Sequence, residues 1–585
     1  MGFFKTFFAA FLAMVAFVFV GFIFFLVLVA SLSSSEEIIV KDNSVLHLKL
    51  DAQITELQLE DPFAGLPVLG SEIPNIGLMQ LKQALDHAKS DDKIKGIYLD
   101  VSYPQTGFST LEEIRQSIIN FRQSGKWVVA YTEVMSEGAY YLATAADKVY
   151  LNPEGEMEFN GMTIEVSFYK NLFDKLEIKP QVFRVGEFKS AVEPFLLDKM
   201  SEANKLQLTE LANSIYDYML VQISEERGVS KERLEEISDK MLVRNASLAK
   251  EFGLIDSLLY QDEFETTIKT KLNIEPSSKI NFISYGKYRK SFSNYKSSKN
   301  EIAVIVAEGT IMPGSGDHSQ QLVGADTYVE EIRKARENKN IKAIIIRVNS
   351  PGGEFRSSDM IWREIQLAKK EKPVIASMSD YAASGGYYLS MGCDTIVAQP
   401  HTITGSIGIF GMMFDMSGFL GNKIGITFDE VKTGEFGEMF TVTRPLNEAE
   451  KNYWQTNLDE HYELFTGKAA DGRNVSKDEI KKVASGRVWT GSQATERKLV
   501  DVLGGFDDAV KIAADKAGIS SDYKLRFYPA QKPFLEEFMS KLQENSKTDA
   551  LKSELGEHYI WFQQLQRIKS FQGAQARMPF EFNIH

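Results

Sequence analysis

Near-continuous apolar runs alternate with helical patterns along most of this chain. In its second half, IAVIVAEG (302–309), AIIIRV (343–348) and PVIASM (373–378) contain few polar positions. Such runs are typical of strands that are buried on both faces, as in a parallel sheet. Between them, residues 327–339 and 358–372 place apolar side chains at helical spacing. This alternation predicts an α/β fold built from βαβ units.

The first half of the chain has the same pattern because the sequence is internally duplicated. Residues 94–161 match residues 341–408 at a constant offset of 247, without a gap. GAYYL at 138–142, for example, aligns with GGYYL at 385–389. Similarity resumes downstream with small changes of offset, as in VSKERLEEI and VSKDEIKKV. The duplication predicts two tandem domains of one fold, here called the first and second copies.

Segments outside the two copies differ from them in composition. The joining segment YGKYRKSFSNYKSSKN is rich in Ser, Lys and Asn without apolar periodicity, which is typical of a linker. The C-terminal tail is polar, and its clearest helical piece is PFLEEFMSKLQEN. The predicted organisation is an N-terminal transmembrane anchor at 1–36, the first copy at 46–284, a linker at 285–300, the second copy at 301–530 and a helix-prone C-terminal tail at 531–585.

The N-terminus has the composition of a membrane span. Residues 6–35 include no charge, and residues 7–32 are almost wholly apolar. A helix of about 20 apolar residues crosses a bilayer, whereas a cleaved signal peptide has an apolar region of about 7–15 residues. We therefore predict a retained single-pass anchor. Lys5 precedes the span and Glu36 follows it, which predicts a cytoplasmic N-terminus and a body on the exported, periplasmic side of the inner membrane.

Overall composition excludes two classes of protein. The formal net charge of −14 over 585 residues argues against a nucleic-acid-binding protein, which usually has a basic surface. The single cysteine, Cys393, can neither form an intramolecular disulfide nor belong to a cysteine-rich zinc site. No nucleic-acid partner and no cysteine-based zinc site are therefore expected.

Two segments of the second copy are candidates for chemistry. NSPGG (349–353) follows a predicted strand, and its paired glycines suit either a plain turn or a backbone that a substrate approaches closely. The first copy has Gln105-Thr106 at the position of these glycines. In DYAASGGYY (380–388), Ser384 lies among small residues before a helical stretch. It could be a nucleophile beside helix N–H groups or simply a helix N-cap.

A serine nucleophile requires a base. Of seven histidines only His401 is close in sequence to Ser384, and its polar turn predicts an exposed side chain. A lysine or a distant histidine is left. Ser406, in the motif TGSIGI, could place its hydroxyl near the site or simply lie in a turn before a strand.

The duplication indicates which lysine is the candidate base. The first copy has Glu137 where the second has Ser384, and it has Lys189 in GEFK where the second has Gly437 in GEFG. Each copy thus lacks what the other retains. A lysine becomes a base only if burial lowers its pKa from about 10.4, and the neighbouring apolar residues permit this. A solvated surface lysine is the alternative interpretation.

Taken together, GEFKSAVEPF, NSPGG, DYAASGGYY and TGSIGIFG resemble the signal peptide peptidase A family in its long, duplicated form. The resemblance covers nearly the whole chain. NSPGG followed by a small-residue serine segment is also similar to the Clp protease proteolytic subunit and the crotonase-like superfamily. The resemblance implies an α/β fold of two tandem ClpP/crotonase-like domains. One position departs from the family pattern: Lys498 stands where a glycine usually precedes Leu-Val-Asp.

The resemblance also implies an activity and a set of roles. Ser384 would be the nucleophile and Lys189 the general base of a Ser–Lys dyad, Gly353 and Gly385 would supply the oxyanion hole, and Ser406 would support the lysine. The implied protein is a membrane-anchored serine peptidase that degrades cleaved signal peptides in or at the cytoplasmic membrane. It would assemble as a homotetramer, contact lipid through its N-terminal helix and need no metal or organic cofactor.

Three alternative functions or mechanisms are considered. A crotonase-type enzyme acting on a thioester would not explain the anchor or the lysine. A non-catalytic scaffold would predict loss of Ser384, Lys189 or the paired glycines, and all are retained. A Clp-like histidine triad is disfavoured because Gly408 stands where its histidine would be expected. Whether Ser384 meets Lys189 of its own chain or of a neighbour is left open.

Overall fold

The fold is given by a computed structural model of the chain. It describes residues 2–32, 38–58, 75–292, 298–317, 321–529 and 573–578.

The first copy follows the predicted alternation. Its strands are β1 (Ser44–Lys49), β2 (Gln53–Thr55), β3 (Asn75–Gly77), β4 (Ile94–Asp100), β5 (Trp127–Met135), β6 (Lys148–Met157), β7 (Lys179–Val185), β8 (Ser257–Leu258) and β9 (Asn281–Ser284). The helices, counted from the N-terminal one, are α1 (Gly2–Leu32), α2 (Leu78–Ser90), α3 (Phe108–Arg122), α4 (Glu137–Ala143), α5 (Lys170–Leu176), α6 (Glu193–Leu196), α7 (Glu202–Arg227), α8 (Lys231–Asp239), α9 (Ala246–Glu251), α10 (Gln261–Leu272) and α11 (Tyr285–Lys290).

The second copy repeats the scheme. Its strands are β10 (Glu301–Glu308), β11 (Thr310–Met312), β12 (Gly316–Asp317), β13 (Leu322–Gly324), β14 (Ile341–Ser350), β15 (Gly352–Glu354), β16 (Val374–Ala383), β17 (Thr395–Ala398), β18 (Ile403–Gly405), β19 (Ile409–Asp415), β20 (Val488–Thr490), β21 (Val502–Leu503), β22 (Lys524–Tyr528) and β23 (Gly573–Arg577). Its helices are α12 (Ala325–Glu337), α13 (Phe355–Lys369), α14 (Gly385–Ser390), α15 (Glu448–Arg473), α16 (Lys477–Val483), α17 (Gly491–Glu496) and α18 (Phe506–Ala517).

Each copy is organised around its own largely parallel sheet. The first has the order β8-β6-β5-β4-β1-β9, and the second has β20-β18-β16-β14-β10-β22 with β17 and β21 at its side. In chain order, the last strand of each of these two sheets pairs in parallel with the first, β9 with β1 and β22 with β10. The apolar runs of the sequence are the central strands, because side chains on both of their faces are buried. This confirms the predicted fold class.

A third sheet joins the two copies. Its order is β12-β13-β11-β15-β23-β19-β7, so β7 of the first copy closes a sheet of the second. The pairing of β7 with β19 is antiparallel and runs from Lys179–Asp415 to Val185–Ile409. Since Lys189 follows β7 by a few residues, this pairing carries it into the second copy.

Buried charges also connect the copies. The Arg347 guanidinium on β14 is fully buried and donates to Glu56 at 2.8 Å and to Glu113 at 2.9 Å, both in the first copy. Thr110 of the first copy donates through N–H and hydroxyl to Asp380 of the second, at 2.9 and 2.6 Å. One apolar core further includes residues of both copies. The two copies are therefore packed as one body around the site described below.

Helix α1 stands apart from this body. Within the described part of the chain it is the one helix long and apolar enough to cross a membrane. Its side chains from residue 2 to residue 21 are exposed.

The structure differs from the predicted organisation in the linker and in the C-terminal tail. Residues 285–290, assigned to the linker, form α11, because Tyr285 and Tyr288 are buried against the first copy and the Tyr288 hydroxyl donates to Asp91 at 3.0 Å. The predicted helix in PFLEEFMSKLQEN lies outside the described residues. The described part of the tail is not a helix but β23, because it pairs with strands on both sides.

Candidate active site

Ser384 lies at a strained turn between β16 and α14. Its backbone has φ 56° and ψ −111°, a conformation uncommon for a residue with a side chain. The Ser384 N–H donates to the Gly405 carbonyl at 2.8 Å, which fixes the turn. Ser384 occupies the N-cap position of α14, but its side chain forms no capping hydrogen bond. The hydroxyl is therefore free for another role, and the N-cap alternative is not the one adopted.

Lys189 reaches this hydroxyl from the first copy of the same chain. Its side chain is fully buried, and Nζ lies 2.8 Å from Ser384 Oγ. The chain turns towards the site at Gly186, whose φ of 113° favours glycine. A Cβ at Gly186 would lie 2.5 Å from the Ser485 carbonyl group, so the backbones approach too closely for a side chain. The two residues predicted from the duplication are thus adjacent within one chain.

Burial favours the neutral form of Lys189. Removing the ammonium group from water penalises its charged form, and this lowers the pKa of Lys189 well below its ordinary value. A neutral lysine is a hydrogen-bond acceptor and a base, whereas an ammonium group is neither. The arrangement can therefore remove a proton from a neighbouring hydroxyl.

Ser406 completes the surroundings of the lysine. Lys189 Nζ donates to the Ser406 carbonyl at 3.1 Å and lies 3.0 Å from the Ser406 hydroxyl. Ser406 is buried with a φ of 50°, and its N–H donates to the Arg487 carbonyl at 2.7 Å. The strained backbone presents both Ser406 oxygen atoms to the same amine.

Gly352, Gly353 and Gly385 bring bare backbone to the other side of Ser384. Gly352 has a φ of 100°, and a Cβ there would lie 2.6 Å from the Gly385 nitrogen. A Cβ on Gly353 would collide with the Ile311 carbonyl of the neighbouring strand. The Ser350 hydroxyl anchors the turn by donating to the Gly309 carbonyl at 2.6 Å and accepting from Gly352 N–H at 3.2 Å. Only glycine fits this junction, where the Gly352 backbone packs against the Gly385 nitrogen.

The segment that receives Lys189 was not predicted from the sequence. Phe188 N–H donates to the Ser485 carbonyl at 2.9 Å, and a Cβ on Gly486 would lie 2.7 Å from Lys189 Cβ. Gly486 has a φ of 79° and aligns with Met241 of the first copy. The available signal was Gly486 itself, a glycine directly before the segment RVWT that is present in the second copy only.

The corresponding position in the first copy is occupied differently. Glu137 lies at the start of α4 and accepts from the N–H groups of Gly161 at 3.0 Å and Asn160 at 3.3 Å. Burial raises the pKa of Glu137. Gly437, which aligns with Lys189, is exposed. Neither residue belongs to the Ser384 site.

His401 is not exposed, and the expectation from its polar turn was wrong. It is buried among the rings of Phe108, Tyr141 and Tyr218, because the first copy packs over this turn. Burial, with a smaller effect of Arg115, lowers the pKa of His401 to about 3. Residues of the first copy enclose His401, whereas the side chain in contact with the Ser384 hydroxyl is that of Lys189.

Comparison with known proteins gives a consistent result. The model of peptidase family S49 matches the chain twice, at residues 120–275 and 366–520. The chain is 36% identical over 500 residues to "Serine protease SPPA, chloroplastic" of Arabidopsis thaliana, covering 84% of this chain and 72% of that protein. It is 34% identical over 516 residues to "Protease 4" of Haemophilus influenzae, covering 85% and 83%. A solved ClpP1 mutant from Listeria monocytogenes aligns with 36% of this chain and 94% of its own, at 14% identity and a TM-score of 0.24.

Proposed function

Since the chain belongs to peptidase family S49 and is a serine peptidase, we propose that it cleaves peptide bonds with Ser384 as nucleophile and Lys189 as general base. The observation that carries the proposal is the 2.8 Å separation of Ser384 Oγ and Lys189 Nζ, with both residues fully buried. Burial keeps the lysine neutral, so the pair begins the reaction in its reactive form.

Ser406 orients the base. A neutral amine has two N–H bonds and one lone pair. Because the Ser406 carbonyl and hydroxyl oxygens can accept the two N–H groups, the lone pair is left for the Ser384 hydroxyl proton. Lys189 takes that proton as Ser384 Oγ attacks the substrate carbonyl carbon. It then gives the proton to the leaving amine, and an acyl-enzyme remains.

The second half of the reaction uses the same groups. Lys189, neutral again, removes a proton from water as the water oxygen attacks the acyl carbon of the acyl-enzyme. Lys189 then returns this proton to Ser384 Oγ as the ester bond breaks, which releases the new carboxyl end and regenerates the Ser384 hydroxyl and the neutral amine. In both halves the negative carbonyl oxygen is stabilised by the N–H groups of Gly353 and Gly385. Backbone donors aimed at a developing oxyanion typically contribute about 3–4 kcal/mol each to transition-state stabilisation.

The proposal is tested with purified full-length protein in detergent and a chromogenic peptide ester. Ser384→Ala and Lys189→Ala should each lower kcat/KM by at least about a thousandfold, because they act as one unit. Glu137→Ala, at the corresponding position of the first copy, is the matched control and should stay within about twofold of wild type. Circular dichroism checks that each variant is folded. A fully active Lys189→Ala variant would refute the dyad.

The membrane is the proposed location. The exposed apolar helix α1 supports a single-pass anchor with a cytoplasmic N-terminus and a catalytic body on the periplasmic side of the inner membrane. A peptidase held there meets the apolar peptides that remain after signal-peptide cleavage, and these are the proposed substrates. Protease added to spheroplasts should digest the catalytic body. Digestion only after lysis would show that the body lies on the cytoplasmic side.

Substrate class is tested separately from location. A labelled signal peptide reconstituted in vesicles with the wild-type protein should disappear, whereas it should persist with Ser384→Ala. A hydrophilic peptide of equal length serves as the control substrate. Preferential cleavage of the hydrophilic peptide would argue against signal peptides as the substrate.

We also propose that chains assemble by repeating the contact that joins the two copies. Residues 427–433 align with β7, and residues 162–168 align with β19. Within the described chain neither segment belongs to a strand pair, although β7 and β19 pair with each other. Val431 is fully exposed and Phe428 is 54% exposed. Antiparallel pairing of 427–433 with 162–168 of a second chain covers this apolar edge.

Such a contact is head-to-tail, and it closes into a ring if the rotation permits. On the basis of the family resemblance, we propose that four chains form the ring. Native mass spectrometry should show a tetramer for the wild type and a monomer for the double variant Phe428→Asp, Val431→Asp. Val221→Asp, at another exposed apolar position on α7, is the control and should remain tetrameric. A tetramer of the double variant would exclude this edge as the interface.

A further inference from the structure

The backbone on both sides of Lys189 is held by one buried amide. Gln207, on α7, is 1% exposed, and its side-chain nitrogen lies 3.2 Å from the Phe188 carbonyl oxygen and 2.9 Å from the Ser190 hydroxyl. Asn204 Oδ1, 3.1 Å from the same nitrogen, accepts from the Ser190 hydroxyl at 2.8 Å. The residue before the lysine and the residue after it are therefore fixed by the same side chain.

The other end of this amide reaches the second copy. Gln207 Oε1 accepts from the Val488 N–H at 3.3 Å. The residue before Val488 is Arg487, whose carbonyl accepts from the Ser406 N–H at 2.7 Å. Because an amide has donors on its nitrogen and an acceptor oxygen, it joins a carbonyl of one copy to an N–H of the other.

These contacts form a closed loop that includes the dyad. The Ser406 carbonyl accepts from the Lys189 amine at 3.1 Å, and Lys189 Nζ lies 2.8 Å from Ser384 Oγ. Gln207 thus connects the backbone that carries the proposed base to the backbone that carries the group orienting it. A shift of either backbone changes the direction of the Lys189 amine relative to Ser384.

Helix α7 determines where Gln207 lies. Glu210 and Ser214 follow Gln207 at spacings of three and seven residues, so the three side chains lie on one face of the helix. Glu210 pairs with Arg487, and the Ser214 hydroxyl lies 2.8 Å from the Thr490 hydroxyl. The face of α7 that carries Gln207 is therefore packed along β20 of the second copy.

The second copy lacks this arrangement where it lacks the lysine. Helix α15 aligns with α7, and Tyr453 stands at the position of Gln207 with 51% of its surface exposed. Gly437, which aligns with Lys189, is exposed as well. The buried amide thus occurs only in the copy that holds the lysine.

We infer that Gln207 is a positioning residue, which holds Lys189 in line with Ser384 and keeps water away from its amine. The inference rests on the proposed function for the role of Lys189. It assigns to Gln207 no contact with the substrate, so its effect on the reaction passes through the lysine.

Charged groups of the adjoining elements have other partners. Glu193, on α6, accepts from the Ser201 hydroxyl at 2.6 Å, and Arg487 pairs with a carboxylate of α7. Burial is the cause of the lowered pKa of Lys189. Exclusion of water is therefore what a Gln207 variant without a charge would change.

Kinetics of Gln207→Met provide the first test. Methionine is similar in size but has no amide, so residues 188–190 lose their hydrogen-bonded anchor. The kcat for the peptide ester should fall about ten- to a hundredfold with KM unchanged, because the base is displaced and the substrate contacts are not. Tyr453→Met, at the aligned position, is the matched control and should keep the wild-type kcat. A wild-type kcat for Gln207→Met would overturn the inference.

The pH profile separates positioning from a loss of stability. The acid limb of kcat/KM reports the pKa of the base in the free enzyme. Water beside Lys189 favours its ammonium form and raises this pKa, so the limb of Gln207→Met should move to higher pH by about one unit. Gln207→Glu adds a negative charge and should move the limb further in the same direction. An acid limb at the wild-type pH in both variants would contradict the inference, because a variant that is merely less stable gives that result.

A double variant distinguishes this inference from the dyad itself. Because Gln207 acts through Lys189, Gln207→Met should change the residual kcat/KM of Lys189→Ala by less than about twofold. The same loss in both backgrounds would show that Gln207 acts independently of the lysine, and would overturn the inference.

Crystal structures test the positioning without reference to catalysis. The distance from Ser384 Oγ to Lys189 Nζ should be longer in Gln207→Met than in the wild type. A fully active Lys189→Ala variant together with a longer distance would refute only the proposed dyad. An unchanged distance would reject Gln207 as the residue that positions the lysine.

Discussion

The two copies of this chain share a fold, but each contributes a different residue to one site. Residues 94–161 and 341–408 align without a gap, and the β-strands of each copy follow the same parallel order. Yet the same turn before a short helix holds Glu137 in one copy, bonded to neighbouring N–H groups, and Ser384 in the other, beside a buried lysine. The difference shows that two copies can keep the same fold while aligned positions, such as Glu137 and Ser384, take on different roles.

The comparison extends to the residues that connect the copies. β7 of the first copy crosses to the second and brings Lys189 with it, whereas the aligned residues 427–433 of the second copy pair with nothing described in the first. A site built from both copies depends on how firmly they are packed together. The following predictions test that dependence in order of decreasing effect.

The largest effect is expected at the buried ion pairs of the junction. Arg347→Met leaves Glu56 and Glu113 buried without the guanidinium and should lower the free energy of unfolding by about 3–5 kcal/mol. The aligned residue of the first copy, Asp100, bonds to a partly exposed His47 at 2.9 Å. Asp100→Asn should change stability by about 0–1 kcal/mol. Denaturant titration measures the free energy of unfolding of both variants. Similar losses would show that the buried ion pairs of the junction contribute no more to stability than the partly exposed pair does.

The next effect concerns the paired glycines. Gly352→Ala forces a side chain into a backbone with φ 100° and places its Cβ 2.6 Å from the Gly385 nitrogen. This should displace the Gly385 N–H, a proposed oxyanion donor, and lower kcat by about a hundred- to a thousandfold. Gln105→Ala, at the aligned position, should leave kcat within about twofold. Steady-state kinetics on the peptide ester measure kcat for both variants. A Gly352→Ala variant with wild-type kcat would show that the paired glycines are not needed for catalysis.

A smaller, pH-dependent effect is expected at the lysine. Folding lowers the pKa of Lys189 below its unfolded value of about 10.4, so the unfolded chain binds a proton that the folded chain releases. This disfavours folding at neutral pH, and the penalty fades as pH rises towards about 10.4. Lys189→Met should therefore raise the unfolding midpoint at pH 7 and lose that advantage near pH 10. Lys205→Met, on the exposed face of α7, should show no such trend in the same thermal scans.

The smallest effect compares one helix start in its two versions. Ser476 accepts from Glu479 N–H at 3.2 Å, and the Glu479 carboxylate accepts from Ser476 N–H at 3.0 Å, a reciprocal cap. Ser230 accepts from Arg233 N–H at 3.3 Å, and an arginine cannot return the bond. Ser476→Ala should cost about 1 kcal/mol and Ser230→Ala a few tenths less. Denaturation midpoints test the order, and the reverse order would show that the reciprocal bond adds nothing.

Much of the fold was predictable because its signals are local. The runs at 302–309, 343–348 and 373–378 became β10, β14 and β16, and the helical patterns between them became α12 and α13. The predicted fold class, the family and the serine peptidase activity are confirmed. The linker was predicted too long, because Tyr285 and Tyr288 find partners that are remote in sequence.

The candidate site was predictable to a lesser degree. Complementary loss in the two copies pointed to Ser384 and Lys189, and the structure places their side chains 2.8 Å apart, while their catalytic roles stay predictions. The environment of His401 was misjudged because the packing of the first copy over its turn leaves no local trace. Gly486 was missed because a single glycine before a strand has many causes.

The sequence by itself determined the repeat, the strand and helix pattern, the apolar N-terminus and the residues able to do chemistry, because periodicity and composition act over short stretches of chain. Only the tertiary structure decided that Lys189 meets Ser384 of the same chain and that its amine is buried, since both depend on the crossing of β7 to β19. It also decided that Ala576 lies against Gly353. Contacts between residues far apart in sequence arise from packing that no local pattern records.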